Sequence, residues 1–181
     1  MNQKNINSKT LLILIILGFL ASRFLGISPS VEPDKDAYQK GTVVRVVDGD
    51  TAKINIGGNN LRVRFTSINT PEYDKATGEG DYYGKEAFVY TKKELEGKTV
   101  WLEMDVTDTD HYDRLLRYIR LNPPKDPNNP TKNEIANNLF NGILVKEGYA
   151  YSGNYRPDVK YKAYLDEFEK DAKINKRGMW R

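Results

Sequence analysis

Asn69-Thr70-Pro71-Glu72 begins five residues after Arg64 and follows a second polar segment, Val47-Asp48-Gly49-Asp50-Thr51. Together they gather carboxylates, an amide, a guanidinium and a sharp Pro turn near the ends of expected strands. A carboxylate (Asp50) and an amide oxygen (Asn69) are hard donors that suit Ca²⁺ or Mg²⁺. Glu72 can act as a base. Arg64 presents a planar fork that matches phosphate oxygens. A cation held by Asp50 and Asn69 would polarise a phosphate and position water. Phosphodiester hydrolysis asks for little else: an oriented water, charge neutralisation and in-line geometry. Each piece alone has a bland reading. Asp48-Gly49-Asp50 is an ordinary hairpin turn, Asn69–Glu72 a strand-ending Pro turn, and Arg64 an outward-facing strand residue. Their conjunction points to metal-assisted chemistry on phosphate.

The elements that must position these groups follow from periodicity. Residues 42–47 are a β-branched run, 51–56 alternate, and Gly57-Gly58-Asn59-Asn60 makes a turn into a third strand over 61–68. Pro71 ends that strand. A helix is expected over 83–95, stopped by Gly97, with Tyr83 and Tyr90 on its packed face. Strands follow over 99–104 and 115–120, separated by a polar loop over 105–113. Residues 121–132 hold four prolines and read as irregular. Helices are expected over 133–148 and 158–176, the latter with Tyr161, Tyr164, Leu165, Phe168 and Ala172 on one stripe. Tyr118 and Tyr164 are expected to pack inward. Three strands, a helix, two strands and further helices predict an α+β chain. The architecture is a five-stranded OB-fold β-barrel with about three attached α-helices, preceded by an N-terminal apolar leader.

That leader is residues 1–28. Lys4 and Lys9 precede an apolar run from Leu11 to Ala21, which reads as a signal peptide or an N-terminal membrane anchor. The run is shorter than the roughly 20 apolar residues of a membrane span. Residues 29–39 read as a linker and 40–181 as the domain, placed outside the cytoplasm: secreted, or held on the outer face of the cytoplasmic membrane. Membrane contact is expected only through the leader, and the domain is expected to be monomeric. The leader holds three of the 28 basic residues and no acid, which leaves 25 bases against 25 acids. Nucleic-acid binding would therefore need a local patch, because net charge supplies no general attraction. The absence of cysteine excludes disulfides and a thiol nucleophile, and a lone histidine, His111, makes zinc a poor fit. A metal would be held by oxygen.

In order along the chain, VVDGDTAKI, RFTSINTPE, YGKEA, TDHYDR, LVKEGYA with NYRP, and the final KINKRGMW resemble successive segments of the staphylococcal nuclease (thermonuclease) family. The resemblance runs from about Gly41 to Trp180. It implies an OB-fold nuclease that hydrolyses DNA and RNA with one Ca²⁺ ion and leaves 3′-phosphate ends. It also implies roles. Asp50, Asn69 and the Thr70 carbonyl would bind metal; Glu72 would orient or deprotonate water; Arg64 and Arg114 would grip phosphate. Tyr112, Tyr155 and His111 would line the nucleotide pocket. Three positions depart from the best-known member. Asn69 stands where it has Asp, His111 where it has Lys, and Asp113 where it has Gly. Asn69 removes one negative charge from the metal site, His111 replaces a fixed cation with a titratable one, and Asp113 is expected to compete for Arg114. The segment before Tyr155 is also one residue shorter, and the Pro-rich loop over 121–132 is longer. Two rival readings are a catalytically silent OB-fold nucleic-acid-binding module and, more weakly, a Ca²⁺-binding surface anchor. The retained Asp50, Arg64, Glu72 and Arg114 favour the enzyme.

Overall fold

The structure, a computed structural model, describes residues 38–126 and 129–181. The leader and nearly all of the linker lie outside the described residues. Strands β1 (Tyr38–Asp48), β2 (Thr51–Ile56) and β3 (Asn59–Phe65) form the expected meander. β4 (Ile68–Asn69), helix α1 (Gly84–Leu95), β5 (Thr99–Glu103) and β6 (Leu115–Arg120) follow. Helices α2 (Lys132–Asn138) and α3 (Phe140–Lys146), strand β7 (Tyr151–Ser152), helix α4 (Lys162–Ile174) and a 3₁₀ turn at Gly178–Trp180 complete the chain. The barrel closes in the order β1-β2-β3-β6-β5. β3 and β6 pair in parallel and the other neighbours antiparallel. This is the expected OB-type α+β architecture.

Alternation builds the core. Ala52 and Ile54 of β2 point inward with Val63 and Phe65 of β3, and all four are fully buried. Lys53, between the two in β2, and Arg62, before Val63 in β3, face solvent. Tyr118 is buried, Tyr164 packs against the core, and Tyr90 stacks on Tyr149 at 4.2 Å. Tyr83 caps α1 from a left-handed conformation, at φ 70°.

Three boundaries differ from expectation. β1 begins two residues inside the expected linker, because Tyr38 and Gln39 pair in register with Glu103 and Leu102. The third strand stops at Phe65, where Ser67 turns the chain at φ 62°; Ile68 and Asn69 then pair with β7 instead. The helix expected over 133–148 is two helices, so α-helices number four among the described residues. Leu139 breaks it in extended backbone, forming a bridge with Arg120 while its side chain is fully buried. Helical periodicity survives the break, which is why the sequence concealed it. Thr131 caps α2, its Oγ1 accepting from the Glu134 N–H at 3.2 Å.

Candidate active site

The β1–β2 turn and the strand that ends at Asn69 meet at Asp50. This carboxylate is 5% exposed. Its Oδ2 accepts the Thr70 N–H at 2.9 Å and faces Arg64 Nη2 at 3.1 Å, while Thr51 Oγ1 donates to Oδ1 at 3.1 Å. Gly49 is needed here, because a Cβ at that position would lie 2.6 Å from Thr70 Oγ1. Helix α1 braces the turn from behind, with Thr91 Oγ1 donating to the Gly49 carbonyl at 2.7 Å.

Arg64 is the hub. Its Nη1 donates to the carbonyls of Phe65 (2.9 Å) and Ile68 (3.0 Å), and its Nη2 to Asn69 Oδ1 at 2.8 Å. One guanidinium thus ties together Asp50, Asn69 and the bend that Pro71 completes. Glu72 is exposed and held by its backbone: its N–H donates to Asp81 Oδ2 at 3.2 Å and its carbonyl accepts from the Asp81 N–H at 2.9 Å. Gly84 opens α1 directly against it, where a Cβ would come within 2.2 Å of the Glu72 carbonyl oxygen. That accounts for the glycine in YGKEA.

Asp48, turn material by its sequence alone, is a site residue. Its carboxyl lies within the electrostatic reach of Glu72. Burial first, then the neighbouring Glu72, push Asp48 up to about 6, against the pull of the Gly49 N–H and Lys75. Burial likewise raises Asp50, opposed by Arg64 and the Thr70 N–H. The corner therefore has an excess of acid that Arg64 and Lys75 only partly balance.

That excess is the test of whether a cation fits. Among the described residues, no three His, Cys, Asp or Glu side chains form a ready-made metal cage. The oxygens on offer are mixed: the Asp50 carboxylate, the Asn69 amide, the Thr70 carbonyl, and the Asp48 and Glu72 carboxyls beside them. This set suits a hard dication, whose charge would offset the excess of acid.

Arg114 reaches the site from the loop before β6. Asp110 organises that loop: its Oδ1 accepts the N–H groups of Tyr112 (2.9 Å) and Arg114 (3.1 Å), and its Oδ2 takes Arg114 Nε at 2.8 Å and Nη2 at 2.7 Å. Burial raises the Asp110 carboxyl, but these donors outweigh it and hold the group below its ordinary value. The acid gripping Arg114 is thus Asp110, in place of the expected Asp113. Asp113 occupies a left-handed turn at φ 57°, a conformation that glycine adopts freely and Asp tolerates. The Asp110–Arg114 spacing, inside an Asp-rich turn, was the overlooked signal.

Arg64, Arg114, Asp110, His111 and Tyr155 line one cleft of about 340 Å³. Tyr112 stands at 62% exposure outside its lining, its ring 3.8 Å from that of His111 and 5.4 Å from the Arg114 guanidinium. Tyr155 is 46% exposed and lies over Gly153, whose Cβ would collide with its ring. The structure therefore brings together both arginines with Tyr155 and His111. Asp50, Asn69 and Thr70 adjoin through Arg64, and Glu72 joins Asp48 at the neighbouring turn.

Residues 62–181 match the family described as staphylococcal nuclease homologue. The chain is 34% identical to a thermonuclease of Staphylococcus hyicus over 138 residues, 76% of this chain and 73% of that protein. It is 31% identical to a thermonuclease of Staphylococcus intermedius over 179 residues, 98% of each, which carries the similarity across the first hairpin. It is 33% identical to the SPbeta prophage-derived endonuclease YokF of Bacillus subtilis (strain 168) over 144 residues, 77% of this chain and 43% of that protein. With the closed barrel and the Asp50–Arg64–Asn69 corner, these matches show that the chain belongs to the staphylococcal nuclease family.

Proposed function

We propose that this protein is an exported, calcium-dependent nuclease that hydrolyses phosphodiester bonds of DNA and RNA and leaves 3′-phosphate ends. The observation that carries the reading is the convergence of Arg64 and Arg114, from separate elements, on one cleft beside an acid-rich turn. Two guanidiniums on opposite sides of a phosphate can neutralise the charge that builds as water adds to phosphorus. Each now holds a carboxylate, Arg64 with Asp50 and Arg114 with Asp110, so a bound phosphate would exchange one oxyanion partner for another. Glu72, exposed at the rim, would orient the water and take its proton. The bond from phosphorus to the 5′-oxygen breaks, giving a 3′-phosphate and a 5′-hydroxyl. Ca²⁺, held by Asp50, Asn69 and the Thr70 carbonyl, would supply polarisation of the phosphate. His111, Tyr112 and Tyr155 provide rings for the nucleoside beside the bond.

Incubating the protein with single-stranded DNA and RNA in Ca²⁺, Mg²⁺, Mn²⁺ or chelator tests this. Cleavage with Ca²⁺, abolished by chelator, yielding ends that polymerase extends only after phosphatase treatment, is the expected result. Binding without cleavage under every metal would leave the silent binding module. Export rests on Lys4, Lys9 and the apolar run Leu11–Ala21. Fractionating cells that make the full chain should place activity in the medium or on the outer membrane face; activity confined to the cytosol would refute it.

A further inference from the structure

Arg45, Lys53 and Arg62 stand in one row across β1, β2 and β3. Arg45 is the direct partner of Lys53, and Lys53 of Arg62. All three are exposed. Like charges placed directly opposite across antiparallel strands destabilise the sheet. Elsewhere lysines sit one helical turn from a carboxylate, as in Lys92–Glu96, Lys98–Glu94 and Lys173–Glu169. Among the described residues, the three cations of the row have no acidic partner. The flanking positions on the same face of β2 and β3 are Thr51, Asn55 and Asn60, with Asn55 Nδ2 donating to Asn60 Oδ1 at 2.8 Å. Neither β2 nor β3 carries an acid on that face; Asp48 of β1, opposite Thr51, stands at the cleft end of it. The chain beyond residue 28 is formally neutral, so the row is a local concentration of charge.

The row is continuous with the cleft. Arg62 and Arg64 are two residues apart in β3, on the same face and roughly 7 Å apart along the strand. Arg62 precedes Val63, whose parallel partner Leu115 follows Arg114. The row thus leads to both cleft guanidiniums.

We propose that Arg45, Lys53 and Arg62 form a phosphate track that holds the backbone of a single nucleic-acid strand beyond the bond lying between Arg64 and Arg114. This rests on the nuclease reading of the cleft. The row carries cations without aromatic rings. It therefore reads phosphate and not base, which makes its contribution independent of sequence and sensitive to salt.

The test compares the full chain with the triple variant Arg45→Gln/Lys53→Gln/Arg62→Gln and a charge-matched control, Lys93→Gln/Lys170→Gln/Lys176→Asn. Affinity for a labelled single strand of about thirty nucleotides, several times a typical OB-fold site, is measured by anisotropy in chelator across a salt series. Turnover of that strand and of a dinucleotide is measured with Ca²⁺. Removing three phosphate contacts should weaken binding of the long strand about tenfold or more and flatten the salt slope by up to about 2. The KM for the long strand should rise, while dinucleotide turnover stays level and the control matches wild type. Removing like-charge neighbours should not unfold the sheet, and circular dichroism checks that. Unchanged binding of the long strand, equal loss in the control, or parallel loss on the dinucleotide would overturn the track. Loss of binding to phosphatidylserine vesicles with strand binding intact would assign the row to a membrane surface instead. A wild type that binds the strand and cleaves nothing would refute the nuclease reading, while the anisotropy arm still decides the track.

Discussion

Arg64 and Arg120 are both guanidiniums held against a buried carboxylate, yet their surroundings differ in kind. Arg120 is fully buried. Its Nε donates to Glu103 Oε2 at 2.7 Å and its Nη2 to the Tyr161 hydroxyl at 2.6 Å, and that hydroxyl donates to Glu103 Oε1 at 2.8 Å. Lys160 adds a second cation at 2.6 Å from Glu103, and Glu134 a second acid at 3.7 Å from Arg120. The rings of Tyr38 and Tyr161 flank the guanidinium. Burial first, then Glu103, push the Tyr38 hydroxyl up to about 12, so it stays neutral. This cluster ties β1, β5, β6, α2 and the start of α4 together with charges in balance. The Arg64 corner has the same ingredients left open: excess acid at Asp48, Asp50 and Glu72, a cleft on one side, and a guanidinium whose partners a phosphate can replace. Balanced and sealed, a buried ion pair holds a fold together. Unbalanced and open, it becomes a site for a cation and an anion.

Removing charge on each side should separate the two clusters most strongly. Glu72→Gln and Arg114→Ala should each cut cleavage by about 10²–10⁴, the span of a lost general base, with an unchanged far-UV spectrum, because both side chains lie in loops outside the core. Near-normal turnover in either would put the open site in the wrong place. Arg120→Met should do the reverse. It leaves the buried Glu103 with the half-exposed Lys160 as its remaining cation and should cost about 3–5 kcal/mol of stability, read from urea unfolding, while turnover per folded molecule is preserved. A variant as stable as wild type would show that the closed cluster is not what braces the barrel.

Asn69→Asp probes the open corner more gently. A second carboxylate adds attraction for a dication, and Arg64, already 2.8 Å from Asn69 Oδ1, limits repulsion in the metal-free state. Half-saturation by Ca²⁺ should fall, with little change in the saturated rate. An equal or higher half-saturation would show that Asn69 serves Arg64 and not the metal.

The smallest effect belongs to Asp158, whose Oδ1 accepts the N–H groups of Val106 (3.0 Å) and Thr107 (2.8 Å). Burial raises its carboxyl, but the donors at Thr107 and Val106 outweigh it and hold the group below its ordinary value. A depressed carboxyl stabilises the fold above its unfolded value of about 3.9, and loses that contribution as pH falls through the native value. Asp158→Asn should therefore be about 1–2 kcal/mol less stable at neutral pH, on the scale of a hydrogen bond to a charged group. The gap should narrow as pH falls below about 4 and close below the depressed native value. A gap that persists in acid would mean that shape, not charge, pins the loop.

Much of this was legible in the residues. Asp-Gly at a hairpin, alternation in β2 and β3, and the Gly97 stop are set by preferences that act within a few residues, so the barrel strands and the corner of Asp50, Arg64 and Asn69 could be placed from the chain alone. The misses share a physical cause. Asp48 became a site residue only when folding set it against Glu72, 24 positions away. The break at Leu139 exists because Arg120 of β6 pairs there, and no local preference announces it. Glu103, Arg120 and Tyr161 are unremarkable in their own segments, and Arg45, Lys53 and Arg62 look like separate solvated strand residues until register lines them up. Sequence determined which backbone each segment adopts. Tertiary structure decided which charges are balanced and which are left open, because a charge's partner depends on register and closure that span the whole barrel.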